Sequence, residues 1–177
     1  VASMTGKFVG IGRTRLSRYD EAQGAIICEY EWRNEIHDIP PLKGTVIPFG
    51  KDHPFYPPFV EEKKPYEAIA DIATVPGLHS LPRVGVKALI DVPVYVAGRL
   101  WGLLGVDDCE RARGWSESDI RLFRLVSGLL SGLLFRRFAE ENLNRMSSLM
   151  EEAPQYTTYV NENGEFQYFN AGTSTLL

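Results

Sequence analysis

From Ile120 to Ala153 nothing in the sequence stops a helix, and Pro154 ends the run. Ser116 stands where an N-cap belongs, with Asp119 three residues on as its capping-box partner. Along the run Leu122, Leu125, Leu129, Gly132, Arg136, Ala139, Leu143, Met146, Met150 and Ala153 follow one another at alternating spacings of 3 and 4. That is a heptad seam, imperfect at Gly132 and Arg136. Gly128 and Gly132 would let another element approach the backbone closely. The first half of the helix is expected to pack on a sheet. The part from 136 to 153 outruns any domain before it, so Ala139, Leu143, Met146 and Met150 predict a parallel homodimer.

Before the helix the sequence reads as strands. Residues 8–19 are rich in β-branched and basic side chains and end at the turn 20–24. Ile26, Cys28, Tyr30 and Trp32 then alternate with Ile27, Glu29, Glu31 and Arg33, which predicts a half-buried strand with one apolar and one charged face. Residues 34–87 are punctuated by prolines; they predict a short helix near 58–64, a strand at 68–73 and a helical turn at 77–83. So long a crossover inside a compact domain suggests a functional segment. Ala88–Val96, the turn Ala97-Gly98 and Arg99–Asp107 form the clearest hairpin. A tight turn there sets Val96 opposite Arg99, Val94 opposite Trp101 and Asp91 opposite Leu104. After Pro154 a second hairpin is expected, 156–160 with 165–169, with Asn170 as the N-cap of a further helix.

Composition narrows the function classes. A net charge of −4 argues against a nucleic-acid partner. The longest apolar runs stop well short of the ~18 residues a membrane span requires. No signal peptide is visible, and two cysteines, Cys28 and Cys109, fit a reducing, cytoplasmic compartment better than a disulfide framework or zinc site. Residues 1–6 resemble an expression-tag remnant.

Residues 86–109, VKALIDVPVYVAGRLWGLLGVDDC, resemble the fourth and fifth strands of a GAF domain, with an apolar "VP" strand, a Gly turn and a "WG-apolar-apolar-G" strand. RLSRYDE at 15–21 resembles the end of the family's first strand, and WSESDI at 115–120 the start of its last helix. Residues 149–177 resemble the first two strands of a PAS domain. These resemblances imply an α/β (α+β) chain: a GAF domain over 7–135, a signalling helix over 136–153 and a partial PAS domain over 154–177. They imply a central antiparallel sheet with helices on one face and a ligand cavity on the other, roofed by the proline-rich crossover. They also imply the input half of a sensor histidine kinase or cyclic-dinucleotide signalling protein, and no enzyme activity in this segment. A ligand-free dimerisation spacer is the alternative, and a sulfoxide-reductase-like enzyme a third reading.

The family's known chemistries leave the cofactor unknown. Tetrapyrrole-binding relatives attach their chromophore through a Cys commonly followed by His, whereas Glu29 and Glu110 follow the cysteines here. Sulfoxide-reductase relatives resolve their chemistry with several cysteines near the pocket. The cyclic-nucleotide signature is missing, since Asp107-Asp108 lacks the preceding Asn-Lys and Phe. Haem stays open through His37, His53 or His79, although no HxH or HxxxH spacing occurs. His79 is the best placed of the three, in a helical turn expected to border the cavity.

Asp91 is the most informative position. A carboxylate in mid-strand is costly to bury without a partner. Either Asp91 and Tyr95 face a polar cavity, or Asp91 pairs with Arg13 or Arg15 of the first strand. Tyr56, in the aromatic cluster with Phe55 and Phe59, is a further candidate for the pocket wall, against the alternative of an aromatic core edge.

Overall fold

The computed structural model of the chain describes residues 11–34, 39–78, 85–152 and 158–170. Six antiparallel strands form one sheet in the order β3-β2-β1-β6-β5-β4. They are β1 (Arg13–Asp20), β2 (Ala25–Arg33), β3 (Val46–Pro48), β4 (Glu67–Ile69), β5 (Ala88–Val96) and β6 (Arg99–Asp108). Strand β5 is rich in β-branched residues, β1 buries Arg13, Arg15 and Ser17 instead, and Gly24 and Gly98 take the positive φ their tight turns require. The helix α1 (Glu117–Glu151) follows. The chain divides into two compact units, Val1–Gly132 and Leu133–Leu177.

Two β-bulges correct the strand faces expected from simple alternation. In β2 the pairing passes from Leu16↔Tyr30 to Ser17↔Cys28, so Glu29 is an extra residue. Ile26 and Cys28 are buried before it, whereas beyond it Tyr30 is exposed and the carboxylate of Glu31 is buried. In β6 the turn pairs Val96 with Arg99 as expected, but Trp101 is an extra residue and Val94 faces Gly102. Asp91 therefore lies opposite Gly105 rather than Leu104, and Leu103 packs with Leu89 on Asp91's side. A one-residue slip inverts every side chain beyond it.

The two faces carry separate cores. On one, Ile90, Val92 and Val106 pack with Ile11 and Phe123 of α1. The other buries Ile26, Leu89 and Leu103 against Phe49, Phe55, Phe59, Ile72 and Leu78 of the crossover. Crossover elements are shorter than the sequence suggests. One wide helical turn, Pro57–Glu61, is closed by Glu62 N donating to the Pro57 carbonyl at 2.9 Å. The expected strand 68–73 is only β4, because the Asp71 side chain takes the Ala73 N–H and a 3₁₀ turn, Ile72–Thr74, follows. Strand β3 went unread in the sequence. Of the expected turn 77–83, Gly77 has φ +87° and 79–84 lie outside the described residues.

The start of α1 is the reciprocal capping box: Asp119 N donates to Ser116 Oγ and Ser116 N to Asp119 Oδ2, both at 3.1 Å. Phe123 and Ser127 are its buried residues. The first half of the helix packs on the sheet as expected, through Phe123 and Ser127, but the seam residues Leu122, Leu125 and Leu129 are not on that face. Leu125 and Leu129 are as exposed as Leu143 and Met146 farther along. In the second unit β7 (Thr158–Val160) and β8 (Phe166–Phe169) form the expected hairpin. The Asn170 side-chain amide donates to the Met150 carbonyl near the end of α1, at 3.3 Å. Any helix after Asn170 lies outside the described residues.

Candidate functional site

Between the sheet and the crossover lies a cavity of about 440 Å³. Ile26, Ile47, Pro48, Phe55 and Leu78 line it with apolar surface, and Arg15, Asp52, His53 and Asp91 supply its polar groups. This size and mixture are those of pockets that hold small molecules.

The polar end grows out of a buried ion network across β1, β2, β5 and β6. Arg15 Nη2 donates to Asp107 Oδ1 at 3.1 Å, and its Nη1 lies 3.0 Å from Asp91 Oδ1. Arg13 meets Asp107 Oδ2 at 3.4 Å and Glu31 Oε1 at 3.0 Å, and donates to the Pro40 carbonyl at 2.7 Å. Burial alone would lower the Arg15 guanidinium, but Asp107 and Asp91 outweigh it and hold it above its ordinary value. Burial pushes the Asp91 carboxyl up; Arg15 offsets part of that rise and Asp107 adds to it.

Two glycines explain the strand motif that ends at Gly105. A Cβ on Gly102 would strike the Ser17 carbonyl, so β1 could not pair there. One on Gly105 would lie 2.6 Å from Asp91 Oδ1 and against the Arg15 guanidinium. Gly105 leaves the space in which the ion pair crosses β6. The sequence showed this glycine only as part of a motif; the bulge at Trp101 hid what it faces.

Among the described residues His53 is the histidine that lines the cavity. Its Nδ1 accepts the Phe55 N–H at 3.2 Å, and burial, with Arg15 adding, lowers the imidazole to about 4. At neutral pH the ring is uncharged, with its proton on Nε2. It lies between Phe49 and Phe55, with ring centroids 4.8 and 5.7 Å away.

The remaining candidates are scattered. Asp91 lines the cavity and also pairs with Arg15, which joins the two readings the sequence left open. Tyr95 stands outside it, its hydroxyl donating to the Phe59 carbonyl at 2.7 Å. Tyr56 packs against Phe49 behind the wall, at 5.7 Å between centroids. His37 and His79 lie outside the described residues. Neither cysteine lines the cavity. Burial raises the Cys28 thiol, and burial with Asp107 beside it pushes Cys109 up to about 12, so both are poor nucleophiles. Among the described residues no His, Cys, Asp or Glu cluster is arranged to hold a metal ion, and no helix is long and apolar enough to cross a membrane.

An antiparallel sheet with a helix on one face and a cavity under an irregular crossover on the other defines a sensor-type α+β domain. The family profile described as "GAF domain" matches residues 13–134, and the chain belongs to that family. It is 25% identical over 159 residues to the methanogenesis regulatory histidine kinase FilI of Methanothrix harundinacea, a match covering 86% of this chain but only 18% of that protein. The fold is similar to the blue-light absorbing form of the Thermosynechococcus elongatus PixJ GAF domain, with TM-score 0.67 and 21% identity over 83% of this chain and 88% of that one. It is also similar to a phycoerythrobilin-bound GAF domain from a cyanobacterial phytochrome, with TM-score 0.69 and 20% identity over 79% and 84%. The chain is thus a GAF sensor domain of the kind found in signalling proteins.

Proposed function

We propose that this domain senses a small molecule in the cavity between sheet and crossover and passes its occupancy to α1, in a cytoplasmic signalling protein and without catalysis of its own. The observation that carries this reading is the 440 Å³ cavity with a buried carboxylate, Asp91, on its wall. A spacer domain gains nothing from that arrangement, because an apolar core of the same volume would be at least as stable. Asp91 sits on β5, and two residues on the Pro93 carbonyl accepts a 2.6 Å hydrogen bond from Ser127 Oγ of α1. A ligand that shifts β5 therefore pulls on the helix directly. The exposed seam from Leu122 to Met150 is the output, docking on a second copy in a parallel pair. The hairpin β7-β8 is read as the opening of a PAS domain in a longer sensor kinase.

The structural neighbours include bilin-bound domains, but a thioether-anchored tetrapyrrole does not fit cysteines that stand off the cavity. Methyl-resolved NMR with a fragment library tests the sensor reading. Binding fragments should shift the methyls of Ile26, Ile47 and Leu78. Hits that perturb only surface residues would contradict it.

A further inference from the structure

The charges around the cavity specify what kind of molecule it takes; this rests on the cavity's being a ligand site. Asp91 is 2% exposed, and its Oδ1 receives no aligned hydrogen bond, although Arg15 Nη1 lies 3.0 Å away. The aligned bonds of Arg15, from Nη2 at 3.1 Å and Nε at 3.4 Å, go to Asp107 instead. Asp91 thus shares a guanidinium that is already committed elsewhere.

Within the network three guanidinium groups, Arg13, Arg15 and Arg33, meet three carboxylates, Glu31, Asp91 and Asp107, and of these six Arg15 and Asp91 reach the cavity. Asp52 adds a further acidic group to the cavity wall. Glu67, the cross-strand partner of Asp91, is held by Lys64 at 3.0 Å. His53 is uncharged at neutral pH and offers no second cation. Among the described residues Arg15 is the only cation lining the cavity. Among the described residues an anion entering here would meet two carboxylates, Asp52 and Asp91, and one guanidinium that Asp91 and Asp107 already share, whereas a donor would complete Asp91.

We infer that the cavity selects a small molecule that donates to Asp91, an amine, amidine or N–H heterocycle, whose apolar or aromatic body packs on Ile26, Ile47, Phe55 and Leu78. Its polar end lies against Asp91 and its body fills the greasy remainder.

Three near-isosteric probes test this on the unaltered 177-residue chain at pH 7.5: benzamidine, benzamide and benzoate, titrated while the Ile47 and Leu78 methyl resonances are followed. Benzamidine should bind at least about tenfold more tightly than benzoate, with benzamide between them. In Asp91→Asn that advantage should vanish, and in Asp52→Asn most of it should remain. Benzoate shifting the same methyls with equal or greater affinity would overturn donor selection while leaving the cavity a ligand site. If no probe moves these methyls, the inference and the sensor reading both fall. The ranking on the unaltered chain decides the matter even if Asp91→Asn does not fold.

Discussion

At the scale of single residues, Gly105 and Asp91 carry one interdependent arrangement. Gly105→Ala pushes a methyl into the Arg15–Asp91 contact and should destabilise the domain by about 2–4 kcal/mol in urea denaturation. A loss under 0.5 kcal/mol would mean the ion pair can simply move aside. Asp91→Ala should lose about 3 kcal/mol, less than a fully orphaned charge would, since Arg15 keeps Asp107. His53 sets a pH dependence. Its folded value of about 4 is depressed from an ordinary 6.5, so between those two pH values the unfolded chain binds a proton that the folded chain refuses. Stability should fall by about 1–3 kcal/mol as pH drops through that window, and His53→Gln should flatten this part of the curve. An unchanged slope in His53→Gln would assign the loss to other groups. Asp91 was legible in the sequence because a mid-strand carboxylate demands a partner. His53 was not, because its importance comes from Arg15, Phe49 and Phe55, which only the fold brings to it.

At the scale of elements, the helix and hairpins were readable because their signals are local. The Ser116–Asp119 box, the turn at Ala97-Gly98 and the uninterrupted run to Pro154 each act within a few residues. The strand faces were not, because the bulges at Glu29 and Trp101 leave no composition signature and invert everything past them. The same limit applied to α1. Heptad spacing marks out a stripe on the helix, but which stripe meets the sheet depends on the rotation fixed by Phe123 and Ser127. Two substitutions separate the stripes. Phe123→Ala should cost about 3–5 kcal/mol of domain stability. Leu125→Asp and Leu143→Asp should leave that stability nearly unchanged and abolish the proposed dimer in light scattering at micromolar concentration. A chain that is monomeric before either seam substitution would refute the dimer.

At the scale of the whole molecule, the resemblance to the GAF family followed from the 86–109 motif and the helix start, and the six-stranded order agrees with it. The cavity was legible only as an expectation, since its walls come from β1, β2, β3, β5 and a crossover whose irregular course no periodicity announces. The central claim is that this cavity holds a small molecule. Native mass spectrometry of the chain, incubated with a metabolite extract of its own host and then desalted gently, addresses it most directly. The account predicts a retained adduct on the unaltered chain that disappears in Ile47→Trp, where an indole occupies the space. Bare protein in both samples, or an adduct that Ile47→Trp retains, would contradict it.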